Sequence, residues 1–250
     1  MKTFSLLALV LLFSSRTFSQ CSKEDLGIRY PQNPSTKVWK INNYVIGYVS
    51  EMTIDADGSP RAYHPQNLGL DNLTYATSKG ELSRYVIVFD GNQPYIQTAL
   101  DPYPGYYLSQ TSLQDASKRE TDYQRYVNSE EIPFIAIPDN LRGQGVQTGD
   151  LAYVYNRKTF RGSFAIVADI GSSTHIGEGS IKLAERIGVN ITYKKEIRQI
   201  IGADADSGIV YLIFPNSGTQ KPMSLYEIEN RGMQYNIREI NSLVECLLRN

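Results

Sequence analysis

A β-rich single domain, all-β to α+β, closed into a barrel with a few peripheral helices, is the fold class this sequence predicts. Two observations predict it. Short runs rich in β-branched and aromatic residues recur at fairly even intervals, each bounded by Gly, Pro, Asp or Asn, and only two stretches carry a legible helical pattern. So many short strands in under 240 residues favour a barrel or a sandwich over a parallel α/β sheet.

At the start of the chain, Lys2 precedes an unbroken apolar run, SLLALVLLF (5–13), and then polar SSRTFSQ (14–20). Thr17 and Ser19 stand at −3 and −1 of a cut before Gln20. This is the pattern of a secretory signal peptide over 1–19, and its apolar run is too short to span a bilayer. Residues 20–250 are then expected to form one catalytic domain of an exported, extracellular protein that does not enter the membrane. After a Pro- and Asn-rich lead (30–36), the expected strands are YVIGYV (44–49), YVIVF (85–89), YIQTAL (95–100), GYYLSQTSL (105–113), IPFIAI (132–137), LAYVY (151–155), SFAIVAD (163–169) and IVYLIF (209–214). Between 114 and 131 the chain turns strongly polar and reads as an exposed excursion. In SIKLAERIG (180–188), Ile181, Ala184 and Ile187 share one helical face and Gly188 supplies the stop. Ser224 and Glu227 have capping-box spacing, and Ile237, Ile240, Val244 and Leu247 recur at helical spacing.

Composition narrows the chemistry. The chain has 250 residues with 25 Lys plus Arg against 26 Asp plus Glu, and trimming 1–19 leaves 23 against 26. A mildly acidic balance argues against nucleic acid as a partner. Its 41% hydrophobic and 11% aromatic residues suffice for a core. Two Cys and two His exclude a disulfide-rich scaffold, a four-thiolate zinc site and a three-histidine metal centre. In an oxidising setting Cys21 and Cys246 are expected to pair, closing a loop worth roughly 5 kcal/mol in the chain-entropy model. Tyrosine is in excess, 18 against 8 Phe.

The stretch SFAIVADIGSSTHIGEGSIKLAERIG (163–188) holds the candidate chemistry. An apolar strand delivers Asp169 at its end, a Gly- and Ser-rich turn follows, and Glu178 sits between Gly177 and Gly179 just before a helix. Two carboxylates flanking one cleft can cleave a glycosidic bond, one protonating the leaving oxygen and the other activating water or attacking carbon. Residue types alone are better met by a strand-end Asp in a turn and a Glu stabilised at a helix N-terminus.

The segments DADGSPRAYHPQNLGLDNL (55–73), GYYLSQTSL (105–113), EEIPFIAIP (130–138), GDLAYVYN (149–156) and, above all, ADIGSSTHIGEGSI (168–181) resemble glycoside hydrolase family 75, the fungal-type endo-chitosanases and their bacterial relatives. The likeness runs from about residue 40 to about 235. Asp169 and Glu178 match the family's catalytic pair in type and spacing. The neighbours differ: fungal members carry Asp-Thr-Asn-Gly and Gly-Glu-Ala-Ser, where this chain has Asp169-Ile170-Gly171-Ser172 and Gly177-Glu178-Gly179-Ser180. A second likeness, to the strand–Asp–Gly-turn pattern of double-psi β-barrels, bears on fold.

The resemblance implies a secreted, monomeric, inverting endo-chitosanase that needs no cofactor and no metal and whose partner is its polysaccharide substrate. Its carboxylates should lie about 6.5–9.5 Å apart to admit a water. Asp169 is assigned as acid, because burial at an apolar strand end favours its protonated form, and Glu178 as base, because a helix N-terminus favours its anion; the reverse is the alternative. Chitosan is a polycation, so Asp55, Asp57, Asp71 and Asp150 are candidate contacts to ammonium or hydroxyl groups. Tyr63, Tyr106 and Tyr107 are candidate stacking faces, although at alternating strand positions such residues also serve as core. DADG (55–58) only opens like a calcium loop, and no Glu stands at its twelfth position. His175 is a candidate to tune a neighbouring acid. Two other functions remain open, hydrolysis of another polysaccharide such as peptidoglycan or a glucan, and glycan binding without turnover. Asn72 and Asn190 begin glycosylation sequons.

Overall fold

The strands that fill the centre of the protein are the long apolar runs, and they are apolar at every position because both of their faces are covered. The computed structural model describes residues 21–204 and 207–249, so the expected signal segment lies outside the described residues. In chain order the strands are β1 (Lys23–Asp25), β2 (Val38–Ile41), β3 (Val45–Ser50) and β4 (Thr53–Asp55), followed by two short ribbons, β5 (Thr77–Ser78) with β6 (Glu81–Leu82) and β7 (Phe89–Asp90) with β8 (Gln93–Pro94). Then come β9 (Phe134–Pro138), β10 (Leu151–Asn156), β11 (Arg161–Gly171), β12 (Glu178–Ser180) and helix α1 (Ile181–Ile187). A ribbon of β13 (Asn190–Lys194) and β14 (Gln199–Asp204), strand β15 (Ile209–Phe214), and helices α2 (Leu225–Gly232) and α3 (Ile237–Leu248) complete the chain.

Nine strands form one mixed sheet in the order β1-β2-β3-β15-β10-β11-β9-β12-β4. Its two edges, β1 and β4, are not paired to each other, so the sheet is open where a closed, double-psi-like barrel was expected. Alternate residues of its central strands enter two separate cores. Ile209, Tyr211 and Ile213 join Val154, Val167, Ile135 and the α1 residues Leu183, Ala184 and Ile187. Val210, Leu212 and Phe214 join Ile166, Phe134 and the α2 and α3 residues Ile228, Ile240, Leu243 and Leu247. This is the period-two alternation of a pleated strand, sandwiched between helices.

Both helix ends read from the sequence are present. Ser180 caps α1, accepting from Leu183 N, and Gly188 closes it in the left-handed region at φ 72°. Ser224 and Glu227 form a reciprocal capping box on α2. Ile240, Val244 and Leu247 bury one face of α3, while Ile237 is exposed. Cys246 on that helix is bonded to Cys21, with Cα atoms 5.5 Å apart, which is the expected pairing. Among the described residues no helix is long and apolar enough to cross a membrane. A disulfide is compatible with a non-cytoplasmic protein.

Residues 56–131 are a layer of turns laid against the edge of the sheet, with a small core of its own built on Ala62, Tyr63, Leu70 and Ile87. Of the expected strands in this region, 85–89 contributes only Phe89 to the two-residue β7–β8 ribbon. The runs 95–100 and 105–113 do not extend into ladders; they make isolated bridges such as Ile96 to Tyr107 and Tyr63 to Tyr107. The tyrosine excess is in good part core: Tyr30, Tyr48, Tyr63, Tyr126 and Tyr211 are all buried, and Tyr48 and Tyr211 stack at 4.6 Å.

Candidate active site

Asp169 and Glu178 meet across a single strand. β11 runs parallel to β9 with Asp169 opposite Ala136, and β12 runs antiparallel to β9 on its other side with Glu178 also opposite Ala136. Residues in register on neighbouring strands point to the same face, so the two carboxylates flank Ala136 on one face of the sheet. Two strand spacings put their Cα atoms roughly 9.6 Å apart. On the next strand, β4, Thr53 is opposite Glu178 and Asp55 is opposite Ser180. Asp55 therefore shares that face too.

A one-residue irregularity makes this alignment. The register of β11 against β9 slips between Val167 and Asp169, leaving Ala168 without a partner. In unbroken register Asp169 would lie opposite Ile137, whose side chain is in the α1-side core. The bulge instead turns it to the Ala136 face, a recurrent use of bulges beside functional sites. Gly177, at φ 99° and packed against Ser50 and Glu51, turns the chain into β12 just before Glu178. Gly171 is opposite in kind: a Cβ there would collide with Glu178 Oε2, so its missing side chain is the space the carboxylate occupies.

The turn after β4 adds two further acids. Carboxylate oxygens of Asp55, Asp57 and Asp169 all come within 4.8 Å of one another. Among the described residues these three are the group that could share a metal ion, a convergence the DADG segment alone does not announce because its third member lies 112 positions from Asp57. Each is held from behind. Asp55 Oδ1 accepts from Asp57 N at 2.8 Å. Asp57 Oδ1 accepts from Tyr63 Oη at 2.8 Å and from Ser109 Oγ at 3.2 Å. Asp169 Oδ1 accepts from Ser112 N at 3.0 Å, from Ser112 Oγ, and from Ile170 N at 2.8 Å. Asp71 is buried nearby, bonded by Asn72 N at 2.7 Å.

Burial raises the proton affinity of every one of these groups, and repulsion by neighbouring acids adds to it at Asp55, Asp57 and Glu178. Glu178 is pushed up to about 7 by burial, then by the charges of Asp169 and Asp71. Asp71 is pushed up to about 6 by burial. Asp55 and Asp57 go well above the usual carboxylate range, through burial first and then through each other's charge or that of Asp169. Asp169 is raised by burial as well, against the pull of its bonds to Ser112 and Ile170. Among the described residues no lysine or arginine forms an ion pair with any of the five. The nearby Arg61 is committed to Glu130, which also accepts from Ser59 Oγ at 2.6 Å.

The other candidates fall outside this group. Asp150 is a buried clamp, its oxygens taking Gln147 N at 2.8 Å and Gly218 N at 3.1 Å, so it ties two turns together and offers no free carboxylate. Tyr63 is buried and supports Asp57 through its hydroxyl, with no ring face open to a sugar. Tyr107 is half-buried, its N bonded to Tyr63 O at 3.0 Å. Tyr106 packs edge-on to His64, with centroids 4.7 Å apart. His175 Nε2 pairs with Thr53 Oγ1 at 2.9 Å and with neither acid, and burial lowers its proton affinity. Glu178 begins a strand, and the first turn of α1 holds no acid, so the expected helix-terminus stabilisation of its anion is absent.

No protein-family model matches this chain, and no curated protein does. The likeness to family 75 therefore rests on the motifs quoted above alone.

Proposed function

We propose that this protein is an exported, endo-acting glycoside hydrolase that cleaves a glucosamine polymer of the chitosan type with inversion at the anomeric carbon. The observation that carries the proposal is the pair Asp169 and Glu178 on one face, either side of Ala136, inside a group of acids with no cation among them. A Cα separation of roughly two strand spacings suits carboxylates set apart by a sugar bond and a water. A cluster of acids without a cation of its own favours a substrate that brings positive charge, whereas beside a neutral glucan the same acids would stay in their protonated forms.

The hydrogen bonds support a division of labour opposite to the one expected from strand-end burial and a helix N-terminus. Glu178, at about 7, holds a proton through mildly acidic conditions and is suited to protonate the leaving oxygen. Asp169 receives three donors on one oxygen, which favours its anion relative to its neighbours and suits a base for water. In this assignment water attacks carbon as its proton passes to Asp169, while the Glu178 proton goes to the departing oxygen. Each acid then returns to its starting state by exchange with solvent.

The test is incubation of the mature protein with chitosan, following viscosity, reducing ends and the anomer first released, beside Asp169→Asn and Glu178→Gln. Rapid loss of viscosity by the wild type and at least a hundredfold loss in each variant is the expected result. A folded wild type that leaves chitosan intact but cuts peptidoglycan or a neutral glucan would redirect the substrate. Binding of chitosan with no cleavage of any polymer would end the catalytic proposal.

A further inference from the structure

Asp169 sits in an unusual electrostatic position for a group that must be ionised. The ionisable groups facing it are Asp55 and Asp57, from β4 and the turn after it, and Glu178 from β12; Asp71 stands behind, reaching Asp57 and Glu178. All are acids, and among the described residues no lysine or arginine pairs with Asp169. What remains is donors, and apart from the neighbouring Ile170 N they come from one place. The segment 109–113 crosses the end of β11 at the bulge, where Leu113 N donates to Ala168 O at 2.8 Å. One residue earlier, Ser112 gives both its N–H and its hydroxyl to Asp169 Oδ1, while its oxygen accepts Ile170 N at 3.2 Å. The single hydroxyl proton is thereby committed to Oδ1. Among the described residues Oδ2 accepts no hydrogen bond. Ser112 is exposed whereas Asp169 is 8% exposed, so the serine lies on the solvent side of the carboxylate.

We infer that Ser112 is a positioning residue for Asp169, fixing the carboxylate with Oδ1 occupied and Oδ2 free for the attacking water. The inference rests on Asp169 acting as the base of the proposed hydrolysis. Because the backbone bonds of Ser112 and Leu113 persist without the hydroxyl, Ser112→Ala leaves the strap in place, and Ser112→Thr restores the donor.

The experiment measures kcat and KM on chitosan against pH for wild type, Ser112→Ala and Ser112→Thr, with thermal melting as a check on folding. Ser112→Ala should lower kcat about tenfold on the acid side, with KM little changed. Its acid limb should shift to higher pH, because the lost donor favoured the anion. Ser112→Thr should behave as wild type. A uniform loss at all pH values with an unmoved limb, or no loss at all, overturns the inference. Should the wild type fail to cleave chitosan, the proposed function fails separately, and carboxyl carbon NMR of the resting protein still decides the role of Ser112. Titration of Asp169 at higher pH in the alanine variant, recovered in threonine, supports it; identical titration in all three refutes it.

Discussion

Glu178→Gln should stabilise this protein above neutral pH while removing its activity. Burial and the charges of Asp169 and Asp71 hold Glu178 at about 7 in the folded chain, against 4.5 for an ordinary glutamate. Between those two values the folded state binds a proton that the unfolded state has released, so stability is complete below the lower value and declines as pH rises towards the upper one. A separation of about 2.5 units is worth about 3 kcal/mol as an upper limit, reduced by whatever solvent reaches the half-buried carboxylate. Glutamine has nearly the shape of the protonated acid and no proton to lose. The assay is urea unfolding of both proteins at about pH 5 and about pH 8. Similar stabilities are expected at the lower pH, with the variant ahead by about 1–3 kcal/mol at the higher one. Comparing the two proteins at each pH cancels the titrations of Asp55, Asp57 and Asp71 to first order. A gap independent of pH, or a wild type that gains on the variant as pH rises, would refute the assigned environment of Glu178.

Two further predictions concern neighbours of the site and the frame. Gly171→Ala should displace the Glu178 carboxylate from the space it now fills, lowering kcat on chitosan on the order of a hundredfold, as expected for a misplacement near 1 Å; an unimpaired variant would mean that Glu178 need not sit there. Reducing Cys21–Cys246, which closes a span of 225 positions, should lower unfolding free energy by about 2–5 kcal/mol. Melting with and without reductant measures this, and an unchanged transition would show that the bond constrains little.

What could be seen in the sequence follows the size of the signal each element carries. IPFIAI, LAYVY, SFAIVAD and IVYLIF are legible because a strand covered on both faces is apolar throughout. Helices α1 and α2 are legible through their caps. The runs at 85–113 carry strand composition but spend their aromatics on a second small core, and Tyr63 and Ser109 spend their hydroxyls on Asp57. The strands that matter most to the site are the faintest. β4 and β12 are three residues each, Thr-Ile-Asp and Glu-Gly-Ser, with no apolar run to mark them. The Asp169–Glu178 pair stands out by its strand and its glycines, whereas its meeting with Asp55 and Asp57 depends on the parallel pairing of β12 with β4, which no local pattern encodes. Ser112 is equally hidden, one hydroxyl in a segment full of them.

The unpaired Ala168 has a consequence for how such a site can be lost or moved. Substitutions along β11 change packing by degrees, but straightening the bulge with Ala168 retained would leave the composition of the strand untouched, set Ala168 opposite Ala136 and Asp169 opposite Ile137, and so aim the terminal carboxylate at the apolar side. Removal of Ala168, by contrast, would leave Asp169 opposite Ala136. Loss of the bulge at constant length, rather than loss of a residue, is therefore the hazardous change in this strand. Two chains that agree at nearly every position here could differ completely in whether they have a site at all, and the register of Asp169 against Ala136 is the quantity to compare.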